Sequence, residues 1–107
     1  MKKFKVNGNE YEARPFDFNL VCDLENMGVS VADMGRKHFA TTRAYFALCA
    51  GMSNTQAGKE MELHVISGGN FEDINNALNE EMDKSDFFRA ISKKQEKKTG
   101  GDQEEEK

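Results

Sequence analysis

Two short runs within residues 3–13 alternate between polar and apolar positions, which is the pattern of a β-ribbon with one buried face. Lys3–Val6 and Glu10–Ala13 carry the alternation, and Asn7-Gly8 lies between them. An Asn-Gly step favours a tight hairpin turn because both of its residues readily adopt a positive φ. Two strands are not stable alone in water, so the ribbon must pack on the rest of the chain. The sequence predicts a hairpin over residues 3–13 with four side chains on its buried face: Phe4, Val6, Tyr11 and Ala13.

After Arg14-Pro15 the apolar residues recur at helical spacing. Asp17 is suited to cap a first helix, and Gly28 is suited to end it. A second helix, over about residues 37–50, has no charged side chain between residues 44 and 50. Because a helix that is apolar all round is usually buried on several sides, we expect this one at the centre of the domain.

Three further helices are predicted in the second half of the chain. Ser53 and Gln56 match a capping box at the start of a helix that ends before Gly68-Gly69. Asn70 caps a fourth helix, and Ser85 begins a short fifth helix that ends near Ile91. The fourth helix has an apolar stripe of Phe71, Ile74, Leu78 and Met82, and a polar face of Glu72, Asn76, Glu80 and Asp83.

The end of the chain has a different composition from the rest. No aliphatic or aromatic residue follows Ile91, and residues 93–107 hold five basic and five acidic side chains. Such a segment has nothing to bury that would offset the entropy of ordering it. We therefore predict one domain over residues 1–92 and a disordered, flexible charged tail over residues 93–107. The predicted fold class is α+β, mainly α: an N-terminal hairpin packed on a compact bundle of four to five short helices.

Composition narrows the class of protein. The net charge is −4 and the pI is about 5.2, which argues against a nucleic-acid partner. The longest uncharged apolar run, residues 44–50, is far shorter than the ~20 residues of a membrane span, and no secretory signal is visible, so no membrane partner is expected. We expect Cys22 and Cys49 to be free thiols in a reducing cytoplasm; a single disulfide is the alternative.

Residues with catalytic or metal-binding chemistry are present only in weak combinations. Glu60 and His64 are four residues apart, but two ligands do not make a metal site, and His64 is better explained as a histidine at the edge of the core. Cys49 lies in the most apolar helix, where an unreactive thiol is expected. We therefore expect no enzyme, and no catalytic, cofactor or metal site.

Two features suggest a partner surface. In the third helix Leu63 and Ile66 point away from the apolar arc of Ala57, Met61, His64 and Val65. Adjacent helical residues diverge by about 100°, so the two rings of Phe87-Phe88 cannot face the same way. Large exposed apolar groups often mark interaction sites. The candidate partner-binding residues are thus Leu63, Ile66, Phe87 and Phe88, although packing inside the domain would explain them equally simply.

Several short motifs follow one another along the chain, at residues 4–13, 16–19, 24–28, 43–47, 52–60, 68–74 and 85–90. Their order and spacing resemble the tail assembly chaperones of long-tailed bacteriophages, which act on the tape measure protein. The likeness covers about residues 3–92. At residue 86 the family usually has glycine where this chain has Asp86, a departure that affects the helix cap but not the paired phenylalanines.

The resemblance implies a non-enzymatic assembly factor that acts in the host cytoplasm and is absent from the mature virion. Members of the family bind the tape measure protein, keep its long apolar helices in solution, and recruit subunits of the tail tube protein. Self-association is left open. The alternative is a small acidic phage-encoded regulator that binds a host protein through the polar face of the fourth helix.

The resemblance also implies a longer product, because the family commonly extends its first product by backward ribosomal slippage. Runs of A in the message favour slippage and encode Lys-Lys, a pair found here at Lys93-Lys94 and Lys97-Lys98. A charged tail without this role is the alternative.

Overall fold

The chain folds into a two-stranded hairpin and five helices. The computed structural model describes the backbone of residues 2–99 and the side chains of residues 2–92. The strands are β1 (Lys3–Val6) and β2 (Asn9–Glu12). The helices are α1 (Phe18–Asn26), α2 (His38–Ala50), α3 (Asn54–Ile66), α4 (Glu72–Lys84) and α5 (Asp86–Thr99), with a single 3₁₀ turn at Val31–Asp33. The predicted class, α+β and mainly α, is confirmed.

The hairpin has the predicted turn and buried face. β1 and β2 are antiparallel, with Phe4 opposite Tyr11 and Val6 opposite Asn9. Asn7 and Gly8 have φ values of 52° and 86°, as a tight turn requires. Phe4 and Val6 are buried, and Tyr11 is half-buried. The hairpin packs on α2, α3 and α4.

Helix α2 is the centre of the domain, as its apolar composition predicted. It packs on α1, α3, α4 and β2. Phe46 is fully buried and lies edge-on to Phe4 and Tyr11, with ring centroids 6.2 and 5.0 Å away. Tyr45 is equally buried, and its hydroxyl donates a hydrogen bond to the Arg14 carbonyl at 2.7 Å.

The Asp17 cap and the end of α1 are confirmed, and the predicted capping box of α3 needs a correction. The Asp17 side chain accepts from the Leu20 amide at 2.9 Å, and α1 is followed by Gly28 with φ 97°. The Ser53 hydroxyl accepts from the Gln56 amide at 3.1 Å. The Gln56 side chain does not complete the capping box, because it donates to Glu60 at 3.3 Å instead.

Helix α5 is longer than the sequence predicted. It continues past Ile91 to Thr99. Lys, Gln and Glu are strong helix formers, so a helix already begun at Asp86 can continue through a segment rich in these residues. The flexibility predicted for residues 93–107 stays a prediction, and residues 100–107 lie outside the described part of the chain. No helix within residues 2–99 is long and apolar enough to cross a membrane.

Candidate interaction surfaces

The last turn of α3 carries three exposed apolar side chains. Ala57 and Met61 are buried, whereas Leu63 is 49% exposed, Val65 45% and Ile66 72%. Leu63 and Ile66 were predicted to point away from the apolar arc, either onto another element or toward a partner, and the structure leaves them exposed. Val65 was placed on the buried arc, which is wrong, because the closely packed part of α3 ends one turn earlier, at Met61. We call Leu63, Val65 and Ile66 the α3 apolar turn.

His64 fixes the position of the α3 apolar turn. Its Nδ1 accepts from the Asn7 amide at 2.9 Å, which leaves the ring proton on Nε2 to be donated to the Asn70 carbonyl at 3.1 Å. Asn7 also donates from its side chain to Glu60 at 3.1 Å. The half-buried ring therefore ties α3 to the hairpin turn and to the loop before α4, as expected for a histidine at the edge of the core.

Phe87 and Phe88 diverge as the helical geometry requires. Phe88 lies edge-on to the buried Phe16, with ring centroids 5.1 Å apart. Phe87 lies edge-on to Phe18 at 5.8 Å, and Phe18 is 62% exposed. Ser85 holds this arrangement, since its hydroxyl accepts from the Phe88 amide at 2.9 Å and donates to the Phe16 carbonyl. One ring thus packs on the core, and the other belongs to a half-exposed aromatic pair.

The two halves of the predicted partner surface lie on helices with different neighbours. The α3 apolar turn belongs to a helix that packs on α2 and β1. Phe87 and Phe88 begin a helix that packs on α4 and, through their rings, on residues 16 and 18. We therefore treat them as two surfaces. Whether either binds a partner stays a prediction.

A groove between α2 and α3 was not predicted from the sequence. It has a volume of about 350 Å³. Phe39 stands at its edge, 77% exposed, with its ring 6.4 Å from that of Phe71. The only signal in the sequence is that Phe39 and Arg43 are one turn apart in a helix otherwise rich in apolar residues. We call it the α2–α3 groove; its lining residues are Phe39, Ala40, Arg43, Gly58, Met61, Glu62 and Phe71.

A second cavity, of about 410 Å³, lies between α2 and α4. His38, Asn75 and Met82 line it. The Thr42 hydroxyl donates to the His38 carbonyl at 2.9 Å and lies 2.7 Å from the Asn75 side-chain oxygen, whereas the buried Thr41 hydroxyl has no hydrogen-bond partner in residues 2–92. Within residues 2–92 no three His, Cys, Asp or Glu side chains are grouped so as to hold a metal ion.

Both cysteines are free and half-buried. Burial raises the pKa of the Cys49 thiol, and the nearby Tyr45 hydroxyl and Arg14 offset only part of that effect. Burial likewise raises the pKa of the Tyr45 hydroxyl, and the adjacent Cys49 adds to the increase. A thiol with a raised pKa has little of the reactive thiolate at neutral pH, which agrees with the expectation of an unreactive Cys49.

The acidic side of α4 is partly solvated and partly buried. The predicted polar face is exposed, and Glu80 forms an ion pair with Lys2 at 3.1 Å. Glu81, which the sequence did not single out, is buried and forms an ion pair with Lys84 at 3.0 Å.

The chain matches no protein-family model, no curated protein and no solved structure.

Proposed function

We propose that this protein is a non-enzymatic tail assembly chaperone of a long-tailed bacteriophage. It acts in the host cytoplasm, where it binds the tape measure protein and recruits tail tube subunits during tail morphogenesis, and it is absent from the mature virion. The resemblance of its ordered motifs over about residues 3–92 supports the proposal. The observation that carries it is the exposed α3 apolar turn.

The α3 apolar turn is suited to a helical partner. Its three apolar side chains lie within four residues of a helix whose opposite side is already packed on the domain. Leu63 and Ile66 are one turn apart, so they form a ridge of the kind that packs against an amphipathic helix. A tape measure protein offers long helices whose apolar stripes need such cover before the tail tube surrounds them.

The charge of the domain supports a role in keeping such a partner in solution. Residues 1–92 contain ten basic and fourteen acidic side chains. The α3 apolar turn can cover a partner's apolar stripe, and the net negative charge of the domain then limits further association of the complex.

Coexpression with a helical tape measure fragment tests the proposal. The double variant Leu63→Asp/Ile66→Asp places two charges on the apolar turn and should abolish capture of the fragment while the helical circular dichroism signal persists. The matched control is Thr55→Asp/Asn76→Asp, which adds the same two charges at exposed polar positions of α3 and α4 and should retain capture. Unfolding of the Leu63/Ile66 variant would mean that these residues stabilise the fold, and intact capture would mean that the binding surface lies elsewhere.

The second candidate function is a small acidic regulator that binds a host protein. The exposed Glu72, Glu80 and Asp83 on α4 favour it. Reversing the charges with Glu72→Lys/Asp83→Lys should then abolish host-protein binding, and no tape measure fragment should be captured by the unmodified protein. Capture of the fragment by both the unmodified protein and this α4 variant supports the chaperone instead.

A further inference from the structure

We infer that the α2–α3 groove is the contact surface of a symmetric dimer of this chain. In this dimer Phe39 of each protomer enters the groove of the other, and Arg43 of each protomer pairs with Glu62 of the other. This inference does not depend on the proposed function, since neither Arg43 nor Glu62 belongs to the candidate partner residues.

The shape of the surface meets the requirement of a twofold contact. An interface related by a twofold axis uses the same patch on both copies, so the patch must contain both the projection and the hollow. Phe39 is the projection: its ring is 77% exposed, the largest exposed fraction among the large apolar side chains of residues 2–92. The hollow lies beside it and has a volume of about 350 Å³, which is enough for an aromatic side chain.

The floor of the groove is built from small or flexible side chains. Gly58 adds no side chain to the groove, and a Cβ atom at this position would be in ordinary van der Waals contact with the Arg43 Cδ, at 3.5 Å. Ala40 adds little bulk on the α2 side, and Met61 can adapt its unbranched side chain to an incoming ring. An entering Phe39 would thus meet Ala40, Gly58 and Met61, which are small or adaptable.

The charges of the groove identify a second copy as the occupant. Arg43 and Glu62 both line the groove, but neither forms an ion pair with any side chain of residues 2–92. An unrelated helix would need an acid and a base at matching positions. A second copy supplies both: a twofold axis that brings Arg43 of one protomer opposite Glu62 of the other also makes the reciprocal pair, so the contact has two equivalent ion pairs.

Charge reversal gives a test that depends on the pairing itself. Arg43→Glu places two acids at each pair, and Glu62→Arg places two bases there, so each variant alone should dissociate. An equimolar mixture restores both pairs. In the mixed dimer the new acid at position 43 of the first variant faces the new base at position 62 of the second. The unchanged Glu62 of the first variant faces the unchanged Arg43 of the second. Sedimentation velocity over protein concentrations up to about 1 mM should show at least about a tenfold weaker association for each variant, and recovery in the mixture.

Two matched variants control for net charge. Lys59→Glu makes the same charge change as Arg43→Glu at an exposed position of α3 outside the groove lining, and Glu25→Arg does the same for Glu62→Arg on α1. Both should associate as the unmodified protein does.

Phe39→Ala removes the projection and should abolish association, while circular dichroism shows an unchanged fold because the ring is exposed.

Four results would overturn the inference. The first is an unmodified protein that stays monomeric over the whole concentration range. The second is an equimolar mixture that associates no better than either charge-reversal variant alone. The third is a dimer that Phe39→Ala leaves intact. Fourth, if a tape measure fragment binds to the monomer and Arg43→Glu abolishes that binding, the groove receives a different chain, and the dimer is rejected while the proposed function stands.

Discussion

Replacing Gly69 by alanine probes the contact that positions the α3 apolar turn. A Cβ atom at Gly69 would lie 2.4 Å from Nε2 of His64 and 2.5 Å from its Cε1, well inside van der Waals contact. The ring is held on both sides, by the Asn7 amide at 2.9 Å and the Asn70 carbonyl at 3.1 Å. Gly69→Ala must therefore displace the ring and break at least one of these hydrogen bonds.

The expected cost follows from the bonds that are lost. Each hydrogen bond contributes about 1 kcal/mol net, and an amide left without a partner adds a further penalty. Because the His64 ring is half-buried, water replaces part of what is lost. We expect Gly69→Ala to lower the free energy of unfolding by about 1–2.5 kcal/mol, which for a domain of this size lowers the melting temperature by about 4–8 °C per kcal/mol.

A double-mutant cycle separates this clash from other effects of alanine. In a His64→Ala background the ring is absent, so Gly69→Ala should cost less than about 0.5 kcal/mol, a non-additivity expected only of residues in contact. Gly68→Ala is the matched control: φ at Gly68 is 102°, and a Cβ atom there meets nothing within 4 Å. Its cost comes from backbone strain and should be the same with or without His64.

Urea unfolding followed by circular dichroism measures the free energy of unfolding of each of these variants. The slope of that free energy against urea concentration should stay unchanged, which checks that the unfolding transition is the same. A Gly69→Ala protein as stable as the unmodified one would contradict the reasoning. So would a cost that persists in full after His64 is removed, since the ring could then not be its cause.

Three more predictions concern the core and the end of the chain. Tyr45→Phe leaves the buried Arg14 carbonyl without its 2.7 Å donor and should lower the free energy of unfolding by about 1–2 kcal/mol in the same urea assay. Burial raises the pKa of Cys49 above the ordinary value of 9.0, so the thiol keeps its proton in the folded protein at pH values where the unfolded chain loses it. The contribution of Cys49 to the free energy of unfolding is therefore complete below about pH 9 and is lost as the pH rises further. Urea unfolding from about pH 8 to 11 should show this decline, and Cys49→Ala should reduce it. Mass spectrometry of infected cells should detect a longer product that shares residues 1 to about 94 or 98; finding only the 107-residue form, at a depth that would reveal a few per cent of a longer one, would remove the idea.

The parts of the fold that depend on local rules could be read from the sequence. The Asn7-Gly8 turn, the Asp17 cap and the position of α2 each follow from a few neighbouring residues. The outward direction of Leu63 and Ile66 also follows from helical spacing, once Ala57 and Met61 define the buried side.

The remaining features depend on where neighbouring elements end. Val65 continues the buried arc of α3 in the sequence, but it lies beyond the turn that packs closely on the domain. Phe39 is a large apolar residue in the central helix, which favours burial, yet it stands in the first turn of α2, at the edge of the groove. Glu81 is buried next to the apolar stripe of α4, where its carboxylate forms an ion pair with Lys84, although an acidic residue favours exposure. Helical periodicity predicts the direction in which a side chain points, but it does not predict where the neighbouring element that would cover this side chain ends.

The most direct test of the account is to identify what contacts Ile66 during infection. A photo-crosslinking amino acid at residue 66, which is 72% exposed, should attach to the tape measure protein, and the same group at Asn76 on the polar face of α4 should not. Peptide mapping of the cross-linked partner supplies its identity. A tape measure helix joined to residue 66 is the predicted result. A host protein joined to residue 76, with no tape measure peptide at residue 66, would contradict the chaperone and favour the regulator.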